Sequence, residues 1–189
     1  TIAGMVALSP DYYGNVAPLK EYSEILKKYR RYLAVDGAHG AHLAFLPQNA
    51  GYAGVYADMW VDGAHKTLPV LTQGAVVSAN CEELVPDLFA GLSLLGSTSP
   101  SFPVAASVEY GVKYLKNNPK VTADSLAAIE AFREKCPFKF YPSADKYKLA
   151  LACESFGADS DDVAALLEKK GIYAELSDGR YVLFYLSPM

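Results

Sequence analysis

The most constraining feature of this sequence is the order of its first three segments. Residues 2–8 form an apolar run that stops at Ser9-Pro10 and predicts a buried strand. In residues 18–31, apolar side chains recur every three or four positions between lysines and glutamates, which predicts an amphipathic helix. A second apolar run, residues 32–35, stops at Asp36. Strand, helix and strand in this order form the unit of a parallel sheet, so we predict an α/β fold.

The alternation continues to about residue 136 and then changes. The further predicted elements are a helical turn at residues 41–46, strands at 56–61 and 74–78, and helices at 82–95, 104–116 and 123–135. The order then becomes strand, helix and strand, at residues 148–153, 160–170 and 181–186. We therefore expect a large α/β domain in residues 1–136 and the start of a small α+β domain in residues 137–189.

Composition and charge exclude several classes of function. Apolar residues make up 51% of the chain and charged residues 20%, which is the balance of a folded globular protein. The net charge of -4 leaves no basic surface for nucleic acid. The apolar N-terminal run lacks a basic flank and is too short to cross a membrane. Because Cys81, Cys136 and Cys153 show no CxxC spacing, we expect buried reduced thiols, a cytoplasmic protein and no metal site.

All three histidines lie in two short segments, and each segment follows a predicted strand. Residues 36–42 read DGAHGAH and residues 62–67 read DGAHKT. Open α/β sheets place their ligands beyond the carboxyl ends of the strands, so these segments would meet a ligand there. Their small residues leave room for a flat molecule. His39 and His65 are candidates to contact it, and His42 is expected to pack or cap locally.

Lys66 is the residue in these segments best suited to covalent chemistry. Residues 67–75, which follow it, carry no charge. Apolar surroundings favour the neutral amine of a lysine, which can attack an aldehyde, although most lysines are solvated surface charges. Asp36 is by itself an ordinary cap or turn residue. Together with Lys66 it predicts a site for pyridoxal phosphate (PLP), in which a carboxylate opposes the pyridine nitrogen, Ala38 lies against the ring and His39 reaches the ring oxygen.

Four segments resemble motifs of the Orn/Lys/Arg decarboxylases of PLP fold type I. Residues 36–42 are similar to the D-E-A-H-G-x-H segment of that family, and residues 63–73 are similar to its S-T-H-K-x-L-x-x-L-T-Q segment. Residues 9–14 and 97–102 resemble two further motifs in the same order. The resemblance implies part of a fold type I large domain, mainly a parallel sheet with helices, followed by the start of a small domain. It also implies a fragment that lacks the N-terminal part and the C-terminal end of the enzyme.

The resemblance further implies roles for single residues. Lys66 would bind PLP as a Schiff base and Asp36 would contact the pyridine nitrogen, with His39 and His65 beside the cofactor. Thr98 and Ser99 would reach the cofactor phosphate of a neighbouring subunit, which implies a homodimer with its active site at the interface. The alternative for this loop is a helix cap, and both interpretations stay open.

The implied reaction is decarboxylation of ornithine, lysine or arginine to the corresponding amine, as in polyamine biosynthesis, with Lys66 or a nearby histidine returning the proton. One alternative is an aminotransferase or aldolase of the same fold. Another is a catalytically inactive fragment or dimerisation subunit. Two positions depart from the family: Gly37 replaces its glutamate, and Gly63 replaces a serine whose hydroxyl is expected to hold the phosphate.

Overall fold

A computed structural model describes residues 2–49 and 51–188, and these fall into two compact units. The first unit contains the chain up to Pro10 together with Val16–Pro119. The second contains Asp11–Asn15 together with the chain from Lys120 onward. The division thus falls after Pro119, whereas the sequence analysis places the domain boundary after residue 136.

A four-stranded sheet forms the centre of the first unit. Strands β1 (Gly4–Leu8), β2 (Tyr32–Gly37) and β3 (Met59–Asp62) are parallel, and β4 (Val76–Ala79) pairs with β3 in the antiparallel direction. The α/β fold and the mainly parallel sheet are therefore confirmed. The predicted strand at residues 74–78 exists, but the segment before it contains no long helix that would carry the chain across the sheet into a parallel position.

Helix α1 (Leu19–Lys28) covers one face of this sheet. Its Leu19 joins a buried apolar cluster that also contains Ala7, Leu33, Val35, Ala53 and Ala57. Successive side chains of a strand point to opposite faces, so Val6 and Leu8 are exposed although Ala7 between them is buried. The helical periodicity and the apolar run at residues 32–35 thus predict the core of this unit correctly. The prediction of a buried strand at residues 2–8 is wrong, because β1 lies at the edge of the sheet and only Ala7 of its five residues is buried.

Three further helices complete the first unit. Helix α2 (Ala64–Thr67) carries the lysine segment, and α3 (Val85–Leu95) and α4 (Phe102–Asn117) follow β4. A second buried cluster, composed of Ala41, Ala64, Leu68 and Leu115, joins α4 to α2 and to the 3₁₀ turn Ala41–Phe45. Because Ala64 and Leu68 lie on either side of Lys66 in the chain, this cluster holds the segment around Lys66 in place.

The second unit contains a three-stranded antiparallel sheet with two helices. Helix α5 (Pro119–Lys135) precedes β5 (Lys148–Ala152), and α6 (Ser160–Glu168) precedes β6 (Leu176–Ser177) and β7 (Tyr181–Tyr185). The strand order is β5-β7-β6. The α+β prediction is confirmed except for β6, whose two residues are too few to show a pattern.

Two expectations from composition can be compared with the structure. Cys153 is buried, but Cys81 and Cys136 are partly exposed, so the prediction of three buried thiols holds for one of them. No helix in residues 2–49 and 51–188 combines the length and the apolar character that crossing a membrane requires.

Candidate active site

The carboxyl ends of β2 and β3 bring the two histidine segments together. The strands are paired so that Gly37 lies beside Asp62, and the residues after them leave the sheet side by side. A Cβ atom placed on Gly63 would lie 2.5 Å from the carbonyl oxygen of Ala38. This approach of backbone to backbone is open only to glycine, so Gly63 allows the lysine segment to lie directly against the loop after β2.

The amine of Lys66 faces a buried histidine across these two segments. Its Nζ lies 3.0 Å from Nε2 of His39, a residue that is 4% exposed. Lys66 itself is exposed, which corrects the expectation that apolar side chains enclose it. The amine is instead positioned by a polar contact with a ring nitrogen.

The ring of His65 is held by Gly74, a residue that follows α2 in the chain. Its Nδ1 lies 2.9 Å from the carbonyl oxygen of Gly74, and its backbone N–H donates to the same oxygen at 2.9 Å. A carbonyl oxygen can only accept, so Nδ1 carries the proton in this contact and Nε2 is left as the basic nitrogen of the ring.

Asp36 ends the buried part of β2 with an exposed carboxylate. Its Oδ1 accepts the backbone N–H of Ala38 at 3.0 Å, which shapes the turn that leads to His39. Asp36 and Lys66 thus belong to the same edge of the sheet. In the described residues, no hydrogen bond or ion pair joins their two side chains.

Thr98 and Ser99 lie in the exposed loop between α3 and α4. The backbone N–H of Ser99 donates to the hydroxyl of Ser97 at 3.1 Å, so this loop is closed by its own hydrogen bonds. Within the part of the chain that is described, neither residue makes a hydrogen bond with Lys66 or Asp36. The contribution of this loop to a site in a neighbouring subunit stays a prediction.

A buried polar network at the end of β3 was missed by the sequence analysis. Asp62 is 6% exposed, and its Oδ2 accepts hydrogen bonds from the Tyr52 hydroxyl and from Trp60 Nε1, both at 2.9 Å. Burial raises the pKa of Asp62, while these two hydrogen bonds and the nearby His42 oppose the shift. Burial also raises the pKa of Tyr52 to about 12. The sequence offered one signal for this network, since Asp62 stands directly between a strand and the lysine segment.

PLP offers three parts that a protein can hold: its aldehyde, its pyridine nitrogen and its phosphate. The groups at this edge of the sheet fit the first two. An amine suits its aldehyde, and a carboxylate suits its pyridine nitrogen. Lys66 and Asp36 provide these groups from neighbouring strand ends. The described residues contain no group of three or more side chains that could hold a metal ion.

Known proteins are similar to this chain over most of its length. Residues 2–145 match the family described as Orn/Lys/Arg decarboxylase, major domain. The uncharacterized protein YaaO of Bacillus subtilis (strain 168) is 32% identical over an alignment of 203 positions. The alignment covers 97% of this chain and 41% of that protein. The arginine decarboxylase of the same organism is 30% identical over an alignment of 205 positions, which covers 98% of this chain and 41% of that protein. The chain therefore spans about two fifths of the length of these relatives.

Solved structures share the fold at low sequence identity. The constitutive lysine decarboxylase of Escherichia coli matches with a TM-score of 0.76 and 19% identity, over 98% of this chain and 34% of that one. The ureidoglycine-glyoxylate aminotransferase of Bacillus subtilis matches with a TM-score of 0.73 and 16% identity, over 97% and 54%. These likenesses confirm the PLP fold type I architecture. Since the family match covers well over half of the sequence, this chain belongs to the Orn/Lys/Arg decarboxylase family.

Proposed function

We propose that this chain carries the lysine-bearing part of a PLP-dependent decarboxylase for a basic amino acid, that is ornithine, lysine or arginine. The observation that carries the proposal is the amine of Lys66 at 3.0 Å from His39, at the sheet edge where Asp36 presents its carboxylate. Relatives described as arginine and lysine decarboxylases support the class of substrate.

Each of these residues has a role toward the cofactor. When bound, PLP supplies a protonated pyridine ring that accepts the electron pair left by a departing carboxylate. Asp36 would keep the ring nitrogen protonated, because a carboxylate stabilises a positive charge beside it. Ala38 would lie against the ring face and His39 would contact the ring oxygen. Lys66 would hold the aldehyde carbon through its amine.

The reaction needs one proton for each molecule of CO2 that leaves. The carbon that loses its carboxylate must receive a proton, and two groups of this chain could supply it. These are Nζ of Lys66 and, once its Nε2 has taken up a proton, the ring of His65, whose orientation is fixed by Gly74. The product would be a polyamine or its precursor.

Chemical trapping tests the assignment of Lys66. The chain is mixed with PLP and reduced with borohydride, and its peptides are then analysed by mass spectrometry. We expect the phosphopyridoxyl group on Lys66 and its loss in Lys66→Ala, whereas the control Lys113→Ala, on the exposed surface of α4, should label normally. Equal labelling of the wild type and of Lys66→Ala would contradict the proposal.

The same lysine and aspartate would also serve an aminotransferase or an aldolase, as the shared fold of the Bacillus subtilis aminotransferase illustrates. The products separate these reactions, because only decarboxylation releases the substrate carboxylate as CO2. If the labelled chain releases no CO2 from ornithine, lysine or arginine, the inactive fragment or dimerisation subunit becomes the better account.

We also propose a homodimer in which the loop with Thr98 and Ser99 reaches the cofactor phosphate of the partner. Helix α3, directly before this loop, supports the proposal, since Phe89, Leu94 and Leu95 are 64%, 82% and 87% exposed. Large exposed apolar side chains of this kind are available for burial against a partner.

A further inference from the structure

The segment that forms the site is almost free of positive charge. In residues 32–112, Lys66 is the only lysine or arginine, and the proposed function commits its amine to the cofactor aldehyde. Arg31 lies at the amino end of β2, at the opposite end of that strand from Asp36. The same 32–112 segment contains seven carboxylates, at Asp36, Asp58, Asp62, Glu82, Glu83, Asp87 and Glu109. A phosphate dianion would find no other lysine or arginine here.

The position best placed to offer a hydroxyl beside Lys66 has no side chain. A Cβ on Gly63 would come within 2.5 Å of the carbonyl oxygen of Ala38, and this neighbour is backbone rather than a flexible side chain. A hydroxyl could therefore enter only if the loop after β2 moved. Thr67, on the other side of Lys66, is 1% exposed, so its hydroxyl faces the interior.

Four of the backbone N–H groups around the site are also occupied. Anion sites in proteins are commonly built from backbone N–H groups that point at the ligand. Here four such groups already donate within the chain: Ala38 to Asp36 Oδ1 at 3.0 Å, Gly40 to the Gly37 carbonyl at 2.7 Å, His65 to the Gly74 carbonyl at 2.9 Å and Lys66 to the Gly63 carbonyl at 2.9 Å. These four N–H groups are therefore not available to a ligand.

We infer that residues 32–112 bind the ring and aldehyde of the cofactor without selecting for its 5′-phosphate. The inference rests on the proposed function, because it takes Lys66 as the attachment point. Attachment forms a carbon–nitrogen double bond between Nζ and the aldehyde carbon and releases the aldehyde oxygen as one water. An aldehyde without phosphate can undergo the same step.

The test compares PLP with 5′-deoxypyridoxal, which carries the same ring and aldehyde but no phosphate. The protein is the Thr98→Ala/Ser99→Ala double variant of the full chain, because this removes the hydroxyls that a partner subunit would offer. Labelling of Lys66 is measured against aldehyde concentration by borohydride trapping and mass spectrometry. The ratio of the affinity for PLP to the affinity for 5′-deoxypyridoxal is divided by the same ratio measured with Nα-acetyllysine. This division corrects for the different intrinsic reactivities of the two aldehydes.

We expect a corrected ratio within about threefold of one, whereas two charge-assisted hydrogen bonds to phosphate would favour PLP by on the order of a hundredfold. A preference of about tenfold or more for PLP would overturn the inference and leave the proposed function intact. Labelling of Lys66 by neither aldehyde would overturn both.

A second variant tests the steric part of the argument. Gly63→Ser adds the hydroxyl at the one position beside Lys66 where it is missing. We expect it to reduce labelling by both aldehydes alike, because its Cβ meets the Ala38 carbonyl. A selective gain for PLP of about tenfold, in a variant with an unchanged circular dichroism spectrum, would overturn the steric part of the argument, because the loop after β2 would then accommodate a hydroxyl that reaches the phosphate.

Discussion

Nζ of Lys66 and Nε2 of His39 lie 3.0 Å apart, although the two residues are separated by 27 positions in the sequence. A protonated lysine has donors only, so His39 accepts from it, or else a neutral amine accepts from the ring. In either case the buried ring limits where the amine can point. The close approach of Gly63 to Ala38 makes this contact possible, since it brings the two segments together.

Replacement of His39 by alanine should weaken the attachment of PLP to Lys66. Loss of a hydrogen bond of this type costs roughly 1.5 kcal/mol, which corresponds to about a tenfold lower affinity. Trapping with borohydride measures the effect, and His39→Gln, which retains an acceptor, should recover part of it. Wild-type labelling of His39→Ala would show that the contact has no influence on the lysine.

Substitution of the exposed leucines of α3 should prevent dimerisation. Leu94 and Leu95 are 82% and 87% exposed in one chain, and burial of a leucine side chain stabilises by roughly 1.5–3 kcal/mol. Leu94→Glu/Leu95→Glu is therefore expected to sediment as a monomer at concentrations where the wild type is a dimer. Leu166→Glu, at an exposed position of α6, is the control and should leave the dimer intact. A wild type that is monomeric throughout would remove the basis for the proposed interface.

The fold was predictable from sequence wherever one local pattern decides it. The apolar run that ends at Asp36 shows a strand because every residue inside it packs on a core or a neighbouring strand. The grouping of His39 with Lys66 was predictable for a related reason: parallel strands that end at the same edge bring the residues that follow them together.

Contacts between distant residues were not predictable in this way. The segment Asp11–Asn15 belongs to the second unit because the carbonyl of Gly14 accepts the N–H of Asp145, a contact without any local signal. In the network of Asp62, Trp60 lies two positions away in the same strand, but Tyr52 approaches from the segment before that strand, which no local pattern indicates. The exposure of Lys66 depends on which groups surround it in three dimensions, and the uncharged residues after it do not determine that.

The stability of the chain should depend on pH through Asp62. Burial raises the pKa of this carboxyl in the folded state, so the folded chain holds a proton that the unfolded chain has already released. Stability therefore falls as pH rises through the window above about 3.9, the ordinary pKa of aspartate. Asp62→Asn has no such proton, and it should gain stability relative to the wild type between that pH and neutrality. Urea unfolding at a series of pH values measures the difference.

The Asp62→Ala variant distinguishes the effect of the charge on stability from the effect of the hydrogen bonds. This variant leaves the donors of Tyr52 and Trp60 without their shared acceptor, at a cost of about 1–3 kcal/mol for each buried donor at any pH. It should therefore be less stable than Asp62→Asn throughout. A constant difference between Asp62→Asn and the wild type across the pH range would contradict the assigned shift.

Two glycines of the second unit form a matched pair for measuring a close contact. Gly14 and Gly171 both have left-handed backbone angles, with φ of 84° and 77°, so alanine is strained at either position by roughly 1 kcal/mol. A Cβ on Gly14 would also lie 2.9 Å from Cβ of Lys148 and 3.1 Å from Cβ of Asp145, whereas nothing lies within 4 Å of one on Gly171. Crowding in a packed interior adds about 1–3 kcal/mol, so Gly14→Ala should lose that much more unfolding free energy than Gly171→Ala. Equal losses in urea unfolding would mean that the segment Asp11–Asn15 is not packed against Lys148 in solution.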